Sequence, residues 1–188
     1  MNTHPSLLKT LDSVLVIVDM QTTLTSVMPE NEATLMHENT LSLLESAKKL
    51  SIPVLLTEQY PQGLGHTEAQ IKDALPDNAQ LFDKTAFSCC GASGFMPALD
   101  KMGRKQIILV GQEAHVCILQ TALDLVAHDY HVHVIEDAIC ARKTEHKFFA
   151  LQRLQSQEVV ISNYESVLFE WLRDANHPDF RAISSLLR

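Results

Sequence analysis

The strongest constraint on the fold is a rhythm in which short, β-branched apolar runs alternate with segments of helical period. Residues 14–18 (VLVIV) are apolar throughout and end at Asp19. Such a run reads as a strand covered on both faces. Over residues 32–50, Leu35, Leu43, Leu44, Ala47 and Leu50 recur near helical spacing, and residues 52–57 (IPVLLT) return to strand chemistry. The pattern continues with a helix at 95–102, a strand at 106–110 (QIILV), a helix at 116–128, a strand at 131–135 (HVHVI), a helix at 145–155 and a strand at 159–162 (VVIS). Right-handed helical crossovers between such strands predict a three-layer α/β/α sandwich on a mainly parallel sheet of Rossmann-like topology. The length, 188 residues, fits one domain, with a core at about 14–161 and a helical extension at about 163–188. Two irregular stretches interrupt the rhythm, 58–67 (EQYPQGLGHT) and 77–94. Loops of that length in a compact domain are commonly functional or mobile.

Composition removes several classes of function. Fifteen Lys and Arg against 23 Asp and Glu give a net charge of −8, with pairs such as Lys48-Lys49 as the densest basic points, which argues against a nucleic-acid partner. No apolar run approaches the ~18 residues that mark a membrane helix. Residues 1–13 have neither an apolar core nor a small-residue cleavage site and do not read as a secretory signal. Cys89, Cys90, Cys117 and Cys140 form no C-x-x-C motif, and two are adjacent, so a reducing, cytoplasmic setting is expected. For Cys89 and Cys90 the expectation is simple packing near a turn. There is no G-x-G-x-x-G, Walker loop or G-x-S-x-G elbow. His131 and His133 share a strand face without ligands at zinc spacing, and are expected at a wet strand edge.

In an open parallel sheet, ligands sit beyond the carboxyl ends of the strands. That places Asp19, Glu58, Gln59, residues 112–117 and Glu136-Asp137 under scrutiny. Cys117 begins the helix that follows the 106–110 strand, where unpaired N–H groups favour a thiolate. Position alone balances a nucleophile against a packed core thiol. Asp19 either takes a thiol proton or caps a turn, and Lys84, in the loop FDKTAFSCC, either supplies a cation or is solvated. His115 is a weaker base candidate, because an i, i+2 spacing does not share a helical face. Tyr60, Leu64, Phe87 and Phe95 are candidates for a pocket lining, with burial in the core the commoner fate of each.

Five segments carry a resemblance to a known family: VLVIVDMQ with Asp19 and Gln21, PVLLTEQYPQGLG, FDKTAFS with Lys84, GQEAHVCILQTALDL with Cys117, and HVHVIEDA. The chain resembles the isochorismatase-like cysteine hydrolases, and within them the isochorismatase domain-containing proteins. The resemblance implies a triad of Asp19, Lys84 and Cys117, and a cis bond between Gln112 and Glu113 that aims the Glu113 and Cys117 N–H groups at an oxyanion. Gln21, Tyr60 and Phe87 are the expected substrate contacts. Nicotinamidase members hold a metal through Asp-x-His, whereas this chain has Glu58-Gln59-Tyr60-Pro61, so no metal or other cofactor is expected. Members that hydrolyse isochorismate lack the cysteine, so that substrate is disfavoured. The expected function is hydrolysis of a small-molecule amide or related C–N bond through a covalent Cys117 intermediate, in a homo-oligomer. The rival is a drifted binding or scaffold protein that keeps the pocket.

Overall fold

The computed structural model describes residues 4–187; the first three residues of the amino-terminal segment and the last of the carboxyl-terminal extension lie outside them. In chain order the elements are β1 (Ser13–Val18), α1 (Thr22–Thr25), α2 (Glu30–Lys49), β2 (Val54–Gln59), α3 (Pro61–Leu64), α4 (Ala69–Ala74), β3 (Gln80–Lys84), α5 (Phe95–Met102), β4 (Gln106–Gln112), α6 (Leu119–Ala127), β5 (His131–Cys140), α7 (Thr144–Gln155), β6 (Val160–Ser162), α8 (Tyr164–Leu172) and α9 (Phe180–Ser184). The strands form one parallel sheet in the order β3-β2-β1-β4-β5-β6.

Both faces of that sheet are covered, which is why its strands are apolar at successive positions. Leu15 and Ile17 of β1, with Val54, Leu56, Ile108 and Val110, pack under α2 and α8. Val14, Val16 and Val18, with Leu55, Ile107 and Leu109, pack under α5, α6 and α7. The architecture is therefore the three-layer α/β/α sandwich that the rhythm predicts. The carboxyl-terminal extension joins the first of these layers through Val167, Leu168, Trp171 and Ile183, and the Trp171 indole N–H donates to Ser13 Oγ at 3.0 Å. Among the described residues no helix is long and apolar enough to cross a membrane.

Several expectations need correction. The stretch 77–94 contains an edge strand, β3, whose residues before Lys84 are exposed or half-buried and so carry no apolar run. Strand β2 runs on through Gln59, and β5 runs to Cys140 with a register shift opposite Leu109 and Gly111. Leu35 is 46% exposed; α2 turns Ala33, Met36, Leu43, Leu44 and Ala47 inward instead. His131 is exposed, but His133 is buried with neither ring nitrogen hydrogen-bonded, and burial, then His131, lowers its pKa to about 4.

The sheet order reverses at β1, which has β2 on one side and β4 on the other. Ligands favour such a switch point. There Gly111 has φ +110°, and a Cβ added to it would lie 2.1 Å from the Val18 carbonyl oxygen. Only glycine lets β4 lie this close to β1 beside Asp19. Gly111→Ala is expected to destabilise the fold by about 3 kcal/mol or more, read as a lowered urea midpoint. An unchanged midpoint would mean that this close approach does not exist.

Candidate active site

Two strand ends deliver the charged groups. Asp19 follows β1 in a left-handed conformation (φ 51°), one that aspartate tolerates better than most residues, and its N–H donates to Thr57 O at 3.1 Å. Lys84 closes β3, so it belongs to a strand rather than to the expected loop. Strand β2 separates β3 from β1, and the Lys84 side chain crosses its end to place Nζ 2.7 Å from Asp19 Oδ2. Both side chains are wholly shielded from solvent. The ammonium also donates to Gln59 Oε1 (2.6 Å), Phe87 O (3.0 Å) and Ala86 O (3.3 Å), and its contact with Cys117 Sγ is 3.5 Å. Asp19 Oδ1 accepts from Thr57 Oγ1 at 2.7 Å.

Cys117 lies in a turn wound as a π-helix over Ala114–Ile118, where Ile118 N–H donates to Glu113 O at 3.2 Å, and α6 begins only after it. Such wide turns recur at functional sites. The expected lowering of its thiol pKa does not occur at rest. Burial pushes the thiol up, Asp19 adds to this, and Lys84 opposes them without prevailing. Burial also works against the Lys84 ammonium, but the Asp19 carboxylate more than reverses this and leaves its pKa raised. The resting site therefore holds a thiol beside an ammonium–carboxylate pair. Proton transfer from that thiol to the carboxylate would leave the sulfur facing the cation.

The other expected site residues fall into two groups. The Gln112–Glu113 bond is cis, and Gln112 Nε2 donates to Asp19 O and to Thr25 Oγ1, each at 2.9 Å, so its side chain ties the end of β4 to the end of β1. Glu113 accepts from Arg142 Nε at 3.0 Å. Gln21, expected to contact substrate, is hydrogen-bonded within the chain. It is fully buried, its Nε2 donates to Gln59 O and Gly65 O, and its Oε1 accepts from Gln59 N–H at 2.7 Å, so it staples the segment after β2 to β1. Tyr60 and Phe87 are 52% and 54% exposed, contrary to the core burial favoured for each; Tyr60 N–H donates to Lys84 O at 2.8 Å, so both flank Lys84. Leu64 is half-buried, and Phe95 is the member of that set that belongs to the core.

His115 packs against His146 with the rings tilted by 49° and their centroids 4.6 Å apart, and burial lowers its pKa; Lys84, not His115, contacts the Cys117 sulfur. Glu136 is exposed, and the Asp137 carboxylate accepts from Tyr164 N–H at 2.9 Å, which fixes α8 rather than the site. Three contributors escaped the sequence reading in whole or part: Thr57, Gln59 and Cys89. Period-2 geometry puts Thr57 and Gln59 on one face of β2, a signal readable once β2 is known to lie between β1 and β3. Cys89 Sγ is 3.6 Å from Thr57 Oγ1, so it is more than turn packing. Among the described residues, no group of three or more His, Cys, Asp or Glu is arranged to hold a metal ion.

Comparison with known proteins agrees with this geometry. The model of the isochorismatase domain matches residues 13–165. Isochorismatase domain-containing protein 1 of Danio rerio is 38% identical over 146 residues, 78% of this chain and 51% of that protein, so the chain spans about half the length of that relative. Isochorismatase domain-containing protein 2 of Danio rerio is 37% identical over 181 residues, covering 96% of this chain and 89% of that one. The structure of the MAR1 ribonuclease of Caenorhabditis elegans superposes with a TM-score of 0.90 at 33% identity, over 96% of this chain and 91% of that one.

Glu58 supports the rim of the site. Its buried carboxylate accepts from Thr67 N–H (2.6 Å), Thr67 Oγ1 (2.7 Å) and His66 Nδ1 (2.8 Å). Burial raises its pKa, but these bonds and the His66 charge outweigh it and hold the carboxyl below its ordinary 4.5. A depressed folded pKa gives stability that is present above 4.5 and lost as pH falls through the folded value. The stability advantage of wild type over Glu58→Gln in urea is thus expected to shrink as pH falls below 4.5. An advantage that grows over that range would contradict the assignment.

Proposed function

Because the chain belongs to the isochorismatase family, whose fold is a hydrolase fold, we propose that it is a cysteine-dependent hydrolase of a small-molecule amide or related C–N bond. The observation that carries this reading is the buried Lys84 ammonium, 2.7 Å from the Asp19 carboxylate and 3.5 Å from the Cys117 sulfur. A base, a cation and a nucleophile so placed are the parts of covalent acyl transfer.

In the first half-reaction Asp19 takes the Cys117 proton as sulfur bonds to the carbonyl carbon, and the carbonyl electron pair moves to oxygen. The N–H groups of Glu113 and Cys117 receive that oxyanion. Its collapse breaks the C–N bond, and the amine leaves with the proton held on Asp19. Water then attacks the thioester, gives a proton to Asp19, and expels the Cys117 sulfur, which recovers that proton as the acid is released. One water is consumed, and Lys84 keeps its proton throughout, balancing whichever of Asp19 and Cys117 is the anion. Tyr60 and Phe87, exposed beside Lys84, supply apolar contacts at the entrance.

The ribonuclease description belongs to the C. elegans protein, and the charge of −8 argues against a polyanionic substrate here. The intact trio speaks against a drifted scaffold, because a buried ion pair without a task is costly to keep. Homo-oligomeric assembly is part of the same proposal.

The test is a panel of small amides, carbamoyl compounds and ureides. Cys117→Ala is expected to abolish turnover with the fold intact by circular dichroism, and Lys84→Ala and Asp19→Ala to lower it by roughly a hundredfold or more. During wild-type turnover, mass spectrometry is expected to find the acyl group on the Cys117 peptide. Full activity in Cys117→Ala on any substrate so identified would rule the mechanism out.

A further inference from the structure

The catalytic reading leaves two buried polar groups of the site without a task, Thr57 and Cys89. We propose that Thr57 is a positioning residue for the reaction, holding the Asp19 carboxylate in one orientation through the hydrogen bond from Oγ1 to Oδ1, with the Cys89 thiol directing that hydroxyl. This rests on the proposed role of Asp19 as proton acceptor.

Three observations carry it. The Thr57 hydroxyl is buried and lies 2.7 Å from Asp19 Oδ1, while Lys84 holds Oδ2 at the same distance, so the carboxylate is gripped at both oxygens. A threonine hydroxyl has one proton. Since Asp19 accepts it, the 3.6 Å contact between Cys89 Sγ and Thr57 Oγ1 has sulfur as the donor. Cys89 can serve only as a neutral thiol, and it is kept so, because burial, then Asp19, pushes its pKa up to about 12. Finally, the backbone fixes these partners. Thr57 pairs in register with Val18, the residue before Asp19; Thr57 O accepts from Asp19 N–H; and Cys89 N–H donates to Thr121 Oγ1 at 2.9 Å.

The titratable groups facing Asp19 are Lys84 from β3, Cys117 from the π-wound turn and Cys89 from the segment before α5. Glu58, next to Thr57, is engaged with Thr67 and His66. A hydrogen bond to a carboxylate favours its charged form, so losing one favours proton uptake by the coupled site. A site that has taken up that proton has no acceptor left for the Cys117 thiol, and the reactivity of Cys117 then falls at higher pH than before.

The probe is iodoacetamide, with alkylation of the Cys117 peptide followed by mass spectrometry across pH in the intact chain. Wild type is expected to alkylate Cys117 ahead of the half-buried Cys90, with a rate that drops on an acidic limb. Thr57→Val, close in shape but without the hydroxyl, is expected to move that limb up by about one pH unit, the scale of a hydrogen bond to a charged group. Thr57→Ala moves it in the same direction, and Thr57→Ser restores it. Variants lacking the hydroxyl whose profiles superimpose on a reactive wild type would overturn the role of Thr57 and leave the hydrolase reading intact. A wild-type Cys117 no faster than Cys90 would sink both.

Discussion

The Lys84–Asp19 ion pair is the interaction on which the rest of the site depends. Removing two charges from water costs several kcal/mol for each ion, and attraction recovers that cost only when geometry is good and the remaining hydrogen-bonding capacity is filled. Here it is filled. Lys84 finds acceptors in Asp19, Gln59 and two carbonyls of the segment after β3, and Asp19 accepts from both Lys84 and Thr57. Most of the surrounding local structure follows from delivering these partners. Edge strand β3 exists in a stretch with little apolar content because its parallel ladder with β2 brings Lys84 into register opposite Gln59.

In the proposed mechanism the same pair lets a thiol that is hard to ionise serve as the nucleophile. A free thiolate in this burial would be unfavourable, and the raised Cys117 pKa expresses that. Proton transfer to Asp19 moves the negative charge to sulfur without changing the net charge of the trio, so no ion has to be created in a dry site. Titration then belongs to the coupled groups rather than to the cysteine alone. The tie from Gln112 to the Asp19 carbonyl and the close approach at Gly111 keep the two halves of the site together across the switch point.

Much of this was legible in the sequence. The fold followed from runs such as VLVIV and QIILV, because burial on both faces writes itself as unbroken apolar stretches. Asp19 and Cys117 stood out as polar or reactive groups just beyond such runs. What escaped notice lacks that signature. Strand β3 is half exposed, so no period marks it. Lys84 therefore read as a loop residue, and its role rested on family resemblance. Gln59 drew attention only by its place at a strand end, and what it and Thr57 bond to follows from the sheet order, a non-local property. Gln21 matched a motif, yet its amide is taken up by backbone groups. The expected thiolate at a helix start failed because that argument counted the helix end and left out burial and Asp19.

The most direct test of the account is a titration of the Cys117 thiolate by ultraviolet absorbance, comparing wild type with Asp19→Asn. If one cation serves two competing anions, removing the carboxylate leaves Lys84 to the sulfur alone. The Cys117 titration is then expected to fall to markedly lower pH in the variant, which holds a standing thiolate and yet does not turn over. A titration that stays in place or moves upward would contradict the account, because Asp19 and Cys117 would not be sharing Lys84.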